Sequence, residues 1–139
     1  MFYLNTYIKT KMTKQEKTGK RDNHFSKWMR KMLPDSSTGY YVTDIDFVLH
    51  NWKKMKKPFM LLEIKSNSRK VEITQHNIYE FIHKCIVSSI AHGDEHTKGW
   101  VYLGFNLIRF TGYKLFEDGD CYFNNLKVTE EELISFLSF

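Results

Sequence analysis

Residues 40–65, YYVTDIDFVLHNWKKMKKPFMLLEIK, decide how the chain is read. Two apolar runs, 40–50 and 59–65, flank the basic connection NWKKMKKP at 51–58, a pattern that predicts two antiparallel strands joined in a hairpin. The first run carries Asp44 and Asp46 among Val42, Ile45, Phe47, Val48 and Leu49. Side chains at i and i+2 of a strand share a face, so the two carboxylates project side by side and repel unless positive charge lies next to them.

A connection centred near Lys54–Met55 sets Asp46 across from Glu63 and Asp44 across from Lys65. All four polar side chains then gather on one surface of the hairpin, while Ile45, Phe47, Leu62 and Ile64 fill the other. One ammonium faces three carboxylates, an excess that a divalent cation neutralises. One or two carboxylates, completed by water and a substrate phosphate, suit Mg²⁺ or Mn²⁺. The plain alternative is a salt-bridge ladder on a half-exposed sheet.

Outward from the hairpin, Phe25, Trp28, Met29 and Met32 have the spacing of an amphipathic helix that starts at Asp22 or Asn23 and is closed by Pro34. A second helix is predicted from Glu72 to His92, with Ile78, Phe81, Ile82, Cys85, Ile86, Ser89 and Ile90 as its inner face. WVYLGFNLIRF (100–110) reads as a strand and YKLFEDGDCYF (113–123) as a further hairpin arm turning at Asp118-Gly119. Thr129 with Glu132 forms a capping box that opens a last helix. Helix, strand, strand, helix, strand, strand, helix predicts an α/β fold with a mixed central sheet flanked by helices.

With the hairpin and the next helix placed, the chain resembles the PD-(D/E)XK nuclease superfamily. The match is Asp46, then sixteen residues, then Glu63-Ile64-Lys65, followed by Gln75-His76-Asn77-Ile78-Tyr79, which is similar to the Q-x-x-x-Y element of the RecB and lambda-exonuclease branch. Residues 24–79 carry it. The resemblance implies a restriction-endonuclease-like core. It also implies that Asp46 and Glu63 bind Mg²⁺ or Mn²⁺ with the Ile64 carbonyl, and that Lys65 orients or deprotonates the attacking water. Gln75 then positions Lys65 or the water, and Tyr79 touches the phosphate or braces the site. Asp44, and His24 on the first helix, are supporting candidates. Asp35 of the literal Pro34-Asp35 ranks below both strand aspartates, since it follows a helix and precedes a turn.

Composition fits one globular domain: 139 residues, 42% hydrophobic, 16% aromatic and two prolines. No apolar run approaches the ~20 residues of a membrane span, so no membrane partner and a cytoplasmic location are expected. Cys85 and Cys121 lack CxxC spacing, which argues against a zinc ribbon or an iron–sulfur cluster. His92 and His96 have i, i+4 spacing, but Gly93 and Asp94 fall between them and end the helix, so a surface loop is expected there rather than a zinc pair.

The net charge is +5, and residues 1–33 hold nine Lys/Arg against Glu16 and Asp22, so the excess lies in the N-terminal segment. Residues 1–22 are expected to be a basic arm and 23–139 the nuclease domain. Lys27, Arg30 and Lys31 on the first helix, with Lys53, Lys54, Lys56 and Lys57 around Trp52 at the hairpin tip, are the nucleic-acid-binding candidates. The expected activity is metal-dependent hydrolysis of phosphodiesters, with DNA ahead of RNA, by a small phage or mobile-element nuclease acting alone or as a homodimer. The alternative is an inactive nuclease-fold module that binds nucleic acid or protein.

Overall fold

A computed structural model describes residues 23–139, so the basic arm expected over 1–22 lies outside the described residues. The chain divides between Tyr40 and Tyr41 into two compact units.

In the first unit, α1 (Asn23–Met32) carries Phe25 and Trp28 with their rings stacked at 5.5 Å. Pro34 follows its end, as expected of a residue without the N–H that another turn would use. Asp35 accepts from the Ser37 N–H at 2.9 Å and caps a 3-10 turn over Ser36–Thr38. That bond holds its carboxyl below the usual carboxylate range.

The second unit is α/β. Its strands are β1 (Phe47–His50), β2 (Lys57–Lys65), β3 (Trp100–Phe110), β4 (Cys121–Phe123) and β5 (Leu126–Val128). They form one sheet in that order, with β2 and β3 parallel and the other neighbours antiparallel. Parallel neighbours need a crossover, which α2 (Ile73–Ala91) supplies. The last helix, α3 (Glu130–Leu137), opens on the expected box: Thr129 Oγ1 accepts from the Glu132 N–H at 3.2 Å, and Glu132 Oε2 accepts from the Thr129 N–H at 2.8 Å.

Phe47 pairs with Leu62 and His50 with Phe59, which is the register set by a turn centred near Lys54–Met55. The first strand is shorter than the expected 40–50, because residues 40–46 do not join the ladder. The reason is a substitution of acceptors. Asp46 Oδ2 accepts from the Ile64 N–H at 2.8 Å, taking the donor that the Ile45 carbonyl would use in a longer β1.

Between β2 and β3 the ladder slips once: Phe59 pairs with Tyr102, but Leu61 pairs with Phe105. The extra residue of β3 sits at a bulge where Gly104 has φ 94°, a conformation open to glycine at little cost. Asn106 Nδ2 donates to the carbonyls of Leu103 at 3.1 Å and Gly104 at 3.2 Å and so holds the bulge. The bulge changes the phase of β3. Trp100 and Tyr102 before it, and Phe105, Leu107 and Arg109 after it, all share the face of Phe59, Leu61, Glu63 and Lys65.

α2 covers that face, with Tyr79 stacked on Phe105 at 4.4 Å and His83 Nδ1 2.9 Å from the Tyr102 hydroxyl. On the opposite face Leu62, Ile108, Phe110 and Cys121 pack with Leu133 of α3. The expected inner face of α2 is rotated. Ile82, Ile86 and Ser89 are partly buried, but Ile78, Phe81, Cys85 and Ile90 are exposed, and Tyr79 is the residue fully buried. The line Gln75-Tyr79-His83 turns to the sheet because polar partners wait there.

The expected arm over 113–123 is strand only at Cys121–Phe123. Before it, Asp118 accepts from the N–H groups of Tyr113 (2.9 Å) and Lys114 (2.8 Å), which closes a loop instead. Both cysteines are free thiols, Cys121 buried and Cys85 exposed. Among the described residues no helix is long and apolar enough to cross a membrane.

Candidate active site

Glu63 is the most buried charged residue described, at 3% exposure near the carboxyl end of the interior strand β2. A carboxylate is tolerated there only with partners on both oxygens. Lys65 Nζ lies 2.7 Å from Oε1, and the Tyr79 hydroxyl lies 2.8 Å from Oε2. The i, i+2 spacing on β2 brings the ammonium to the same face as the carboxylate.

Gln75 and Tyr79, one helical turn apart, reach the site from the first turns of α2. Lys65 Nζ donates to Gln75 Oε1 at 3.1 Å, so the ammonium is held between a carboxylate and an amide. The Tyr79 hydroxyl also sits 2.8 Å from the Asp44 carbonyl and shares its single proton between that oxygen and Glu63. Burial first, then the hydrogen bond to Glu63 and the charges of Glu63, Asp44 and Asp46, push the phenol well above its ordinary range. Three carboxylates therefore bear on one hydroxyl.

Asp46 is the residue before β1, and the register carried one step further sets it beside Glu63. Its bond to the Ile64 N–H locks it against the backbone between Glu63 and Lys65. Ile64 thus enters the site through its main chain, and the observed contact is its N–H. Asp44 does not stand across from Lys65 in the ladder as expected. It precedes β1, its side chain is exposed, and its main-chain carbonyl is what Tyr79 engages.

Next to Lys65 opens a polar cleft of about 220 Å³ lined by Thr43, Arg69, Lys70, Glu72, Thr74 and Gln75, among others. Arg69 and Lys70 are site residues that the sequence reading missed. They are delivered by a turn at Asn67 and Ser68, with φ 54° and 55°, whose N–H groups donate to the carbonyls of Gly112 and Phe110 at 3.0 Å each. The signal available was the basic pair directly after Ser66-Asn67-Ser68, a turn-forming run. Arg109 was missed too. It pairs in register with Lys65, lies over the Tyr122 ring at 5.0 Å, and its buried Nε has no hydrogen-bond partner.

His24, Lys27, Arg30 and Lys31 belong to α1 of the first unit and are exposed there. Lys53, Lys54 and Lys56 are exposed at the hairpin tip beside Trp52, while Lys57 is half-buried with its Nζ 5.3 Å over the Trp100 ring. His92 and His96 are bound separately, to the Ser88 carbonyl at 2.7 Å and the Ser89 hydroxyl at 3.2 Å.

Among the described residues no group of three or more His, Cys, Asp or Glu side chains is arranged to hold a metal ion. The donor set that remains is Asp46 and Glu63. Two carboxylates fit the needs of Mg²⁺, which keeps several waters and takes one or two protein carboxylates. No family model, curated protein or solved structure matches the chain.

Proposed function

We propose that the protein is a metal-dependent nuclease with a restriction-endonuclease-like core, hydrolysing DNA phosphodiesters at the Asp46–Glu63–Lys65 cluster. One observation carries the reading: of the residues singled out along 34 residues of sequence, Glu63, Lys65, Gln75 and Tyr79 form one connected set of hydrogen bonds, and Asp46 is bonded to the Ile64 N–H that lies between Glu63 and Lys65 in the chain. The cluster also stands at the carboxyl ends of the parallel strands β2 and β3, where open α/β sheets bind their ligands.

A phosphodiester resists hydrolysis because its anionic oxygens repel a nucleophile. A bound Mg²⁺ or Mn²⁺ supplies Lewis-acid polarisation of a phosphoryl oxygen and acidifies water. Asp46 and Glu63 would hold the ion. Lys65, fixed by Gln75, aims its ammonium at the attacking water and at charge developing on phosphorus. Tyr79 keeps Glu63 and the Asp44 segment in place through both of its short contacts. Arg69, Lys70 and Arg109 offer positive charge to the flanking phosphates. DNA ranks ahead of RNA as substrate, and the protein acts alone, with a partner or as a homodimer.

A specific observation favours a second reading, a nuclease-like module that binds nucleic acid without cutting it. Both oxygens of Glu63 are already engaged, by Lys65 and Tyr79, so an ion must displace or share those partners.

The deciding assay offers linear single-stranded, linear duplex and circular DNA in Mn²⁺, with and without EDTA. Asp46→Asn is the diagnostic variant, because its amide oxygen can still accept from the Ile64 N–H while the charge is lost. The nuclease predicts EDTA-sensitive cleavage that falls at least ~100-fold in this variant, as for groups that act in the transition state. Salt-sensitive retention of every substrate without cleavage would establish the binding module instead.

A further inference from the structure

A second concavity opens on the same face of the sheet as the carboxylates, at the other end of β2. It is a cleft of about 360 Å³ between edge strand β1 and the 3-10 turn at Glu95–Thr97, lined by Val48, His50, Phe59, His96, Thr97 and Trp100. Phe59 and Trp100, in edge-to-face contact with centroids 5.7 Å apart and planes at 89°, form one aromatic wall of it. His50, His96 and Thr97 are its few polar groups, a composition typical of small-ligand sites. His96 and Thr97 are held in position by the Ser89 hydroxyl, at 3.2 and 3.4 Å.

The charge around the cleft is positive. Lys57 leans over Trp100, and Lys53, Lys54 and Lys56 crown the hairpin tip at this end of the sheet. These lysines suit an anionic backbone, and the aromatic lining suits a flat ring. Phe59 and Glu63 are four residues apart on one strand and one face, ~13 Å at a strand's rise. Exposed Val48, paired with Leu61, is the wall between cleft and cluster. A paired base shows only its edge in a groove, so the occupant must be unpaired.

We infer that this cleft is a stacking site for one unpaired nucleobase, a few nucleotides from the carboxylate cluster, with the lysines of the β1–β2 turn on the neighbouring phosphates. The inference rests on the nucleic-acid reading above and adds that the protein engages single-stranded DNA, or a frayed end, by a base as well as by its backbone. Lysines alone hold a backbone regardless of its bases, whereas an aromatic slot requires one.

The test uses the full chain in EDTA and a fluorescein-labelled 12-nucleotide single-stranded oligothymidylate, compared by anisotropy with the same strand carrying only abasic sites. The intact strand is expected to bind about 5–150-fold more tightly, the range for stacking of one base. Trp100→Ala and Val48→Glu should each erase that difference. Val48→Glu serves as the surface variant should Trp100→Ala fail to fold by circular dichroism.

Equal binding of intact and abasic strands, or no binding, overturns the inference, as does an unchanged difference in both variants. A dimer in sedimentation that Val48→Glu disperses, with base-indifferent binding, would assign the cleft to a second copy and equally overturn it. Hydrolysis of bis(p-nitrophenyl) phosphate in Mn²⁺ reports on the carboxylate cluster alone. Hydrolysis with base-indifferent binding removes the cleft and keeps the nuclease. Base-dependent binding without hydrolysis or cleavage does the reverse.

Discussion

Replacing Lys65 is the obvious test of catalysis, and burial makes it a test of folding as well. The Lys65 and Glu63 side chains are 18% and 4% exposed and 2.7 Å apart, so the pair sits under the sheet's cover rather than on the surface. An exposed pair contributes about 0–1 kcal/mol, but removing one member of a buried pair costs about 3–5 kcal/mol, because a desolvated charge is left unmatched. Lys65 keeps partial contact with solvent, which places Lys65→Met near the lower bound, about 3 kcal/mol. Glu63→Gln with Lys65→Met removes both charges, keeps an acceptor for the Tyr79 hydroxyl, and should recover about 2 kcal/mol of that loss. Urea unfolding at pH 7 of the parent, the two single variants and the double variant yields the coupling between the sites. A loss below about 1 kcal/mol for Lys65→Met, or a coupling below about 0.5 kcal/mol, would refute the argument and return the pair to the surface class. Only the double variant, if it folds, then separates lost chemistry from lost stability.

Tyr79→Phe should lose about 1.5–3 kcal/mol in the same measurement, since Glu63 gives up a charge-assisted hydrogen bond in a buried site. A change below about 0.5 kcal/mol would mean that the hydroxyl is not bracing the carboxylate. Burial pushes the Tyr102 phenol up to about 12, and Tyr79 is raised further. Both groups stay protonated when folded, so their contribution is whole below the ordinary phenol value of 10.0 and fades as pH climbs through the raised values. In a spectrophotometric titration near pH ~11, Tyr79→Phe and Tyr102→Phe should therefore leave the phenolate signal of the folded protein nearly unchanged from the parent. Thr129→Ala, which deletes one half of the capping box, should cost about 1 kcal/mol by thermal melting; no change would show that α3 is held by Leu133 and Leu137 alone.

The hairpin register was legible because a turn's centre and strand periodicity leave little freedom once one face must be apolar. Phe47 against Leu62 is the pairing that this logic requires. The box at Thr129 and Glu132 and the bounds of β3 were legible for the same reason: local chemistry and fold agree there. Where reading failed, a side chain competed with the backbone or a polar residue outweighed an apolar one. Asp46 took the donor that would have lengthened β1, and nothing in an apolar run announces that exchange. On α2, Ile78 and Phe81 argued for one face, but Tyr79 and His83 had partners in Glu63 and Tyr102. Arg69 and Lys70 came to the site through two consecutive residues with positive φ, a geometry that Asn67 permits and Ser68 does not advertise.

The bulge at Gly104 means that β3 is two strands spliced out of step. Trp100 and Tyr102 obey even numbering, Phe105, Leu107 and Arg109 odd, and the join lies between them. Deleting Gly104 would leave a chain of respectable strand composition in which one half presents the wrong side: either the aromatic slot loses Trp100 or Tyr79 loses its stacking partner. The two candidate sites are thus tied to a common insertion one residue long, and a lineage that lost it would have to rebuild one end of the sheet to keep the other.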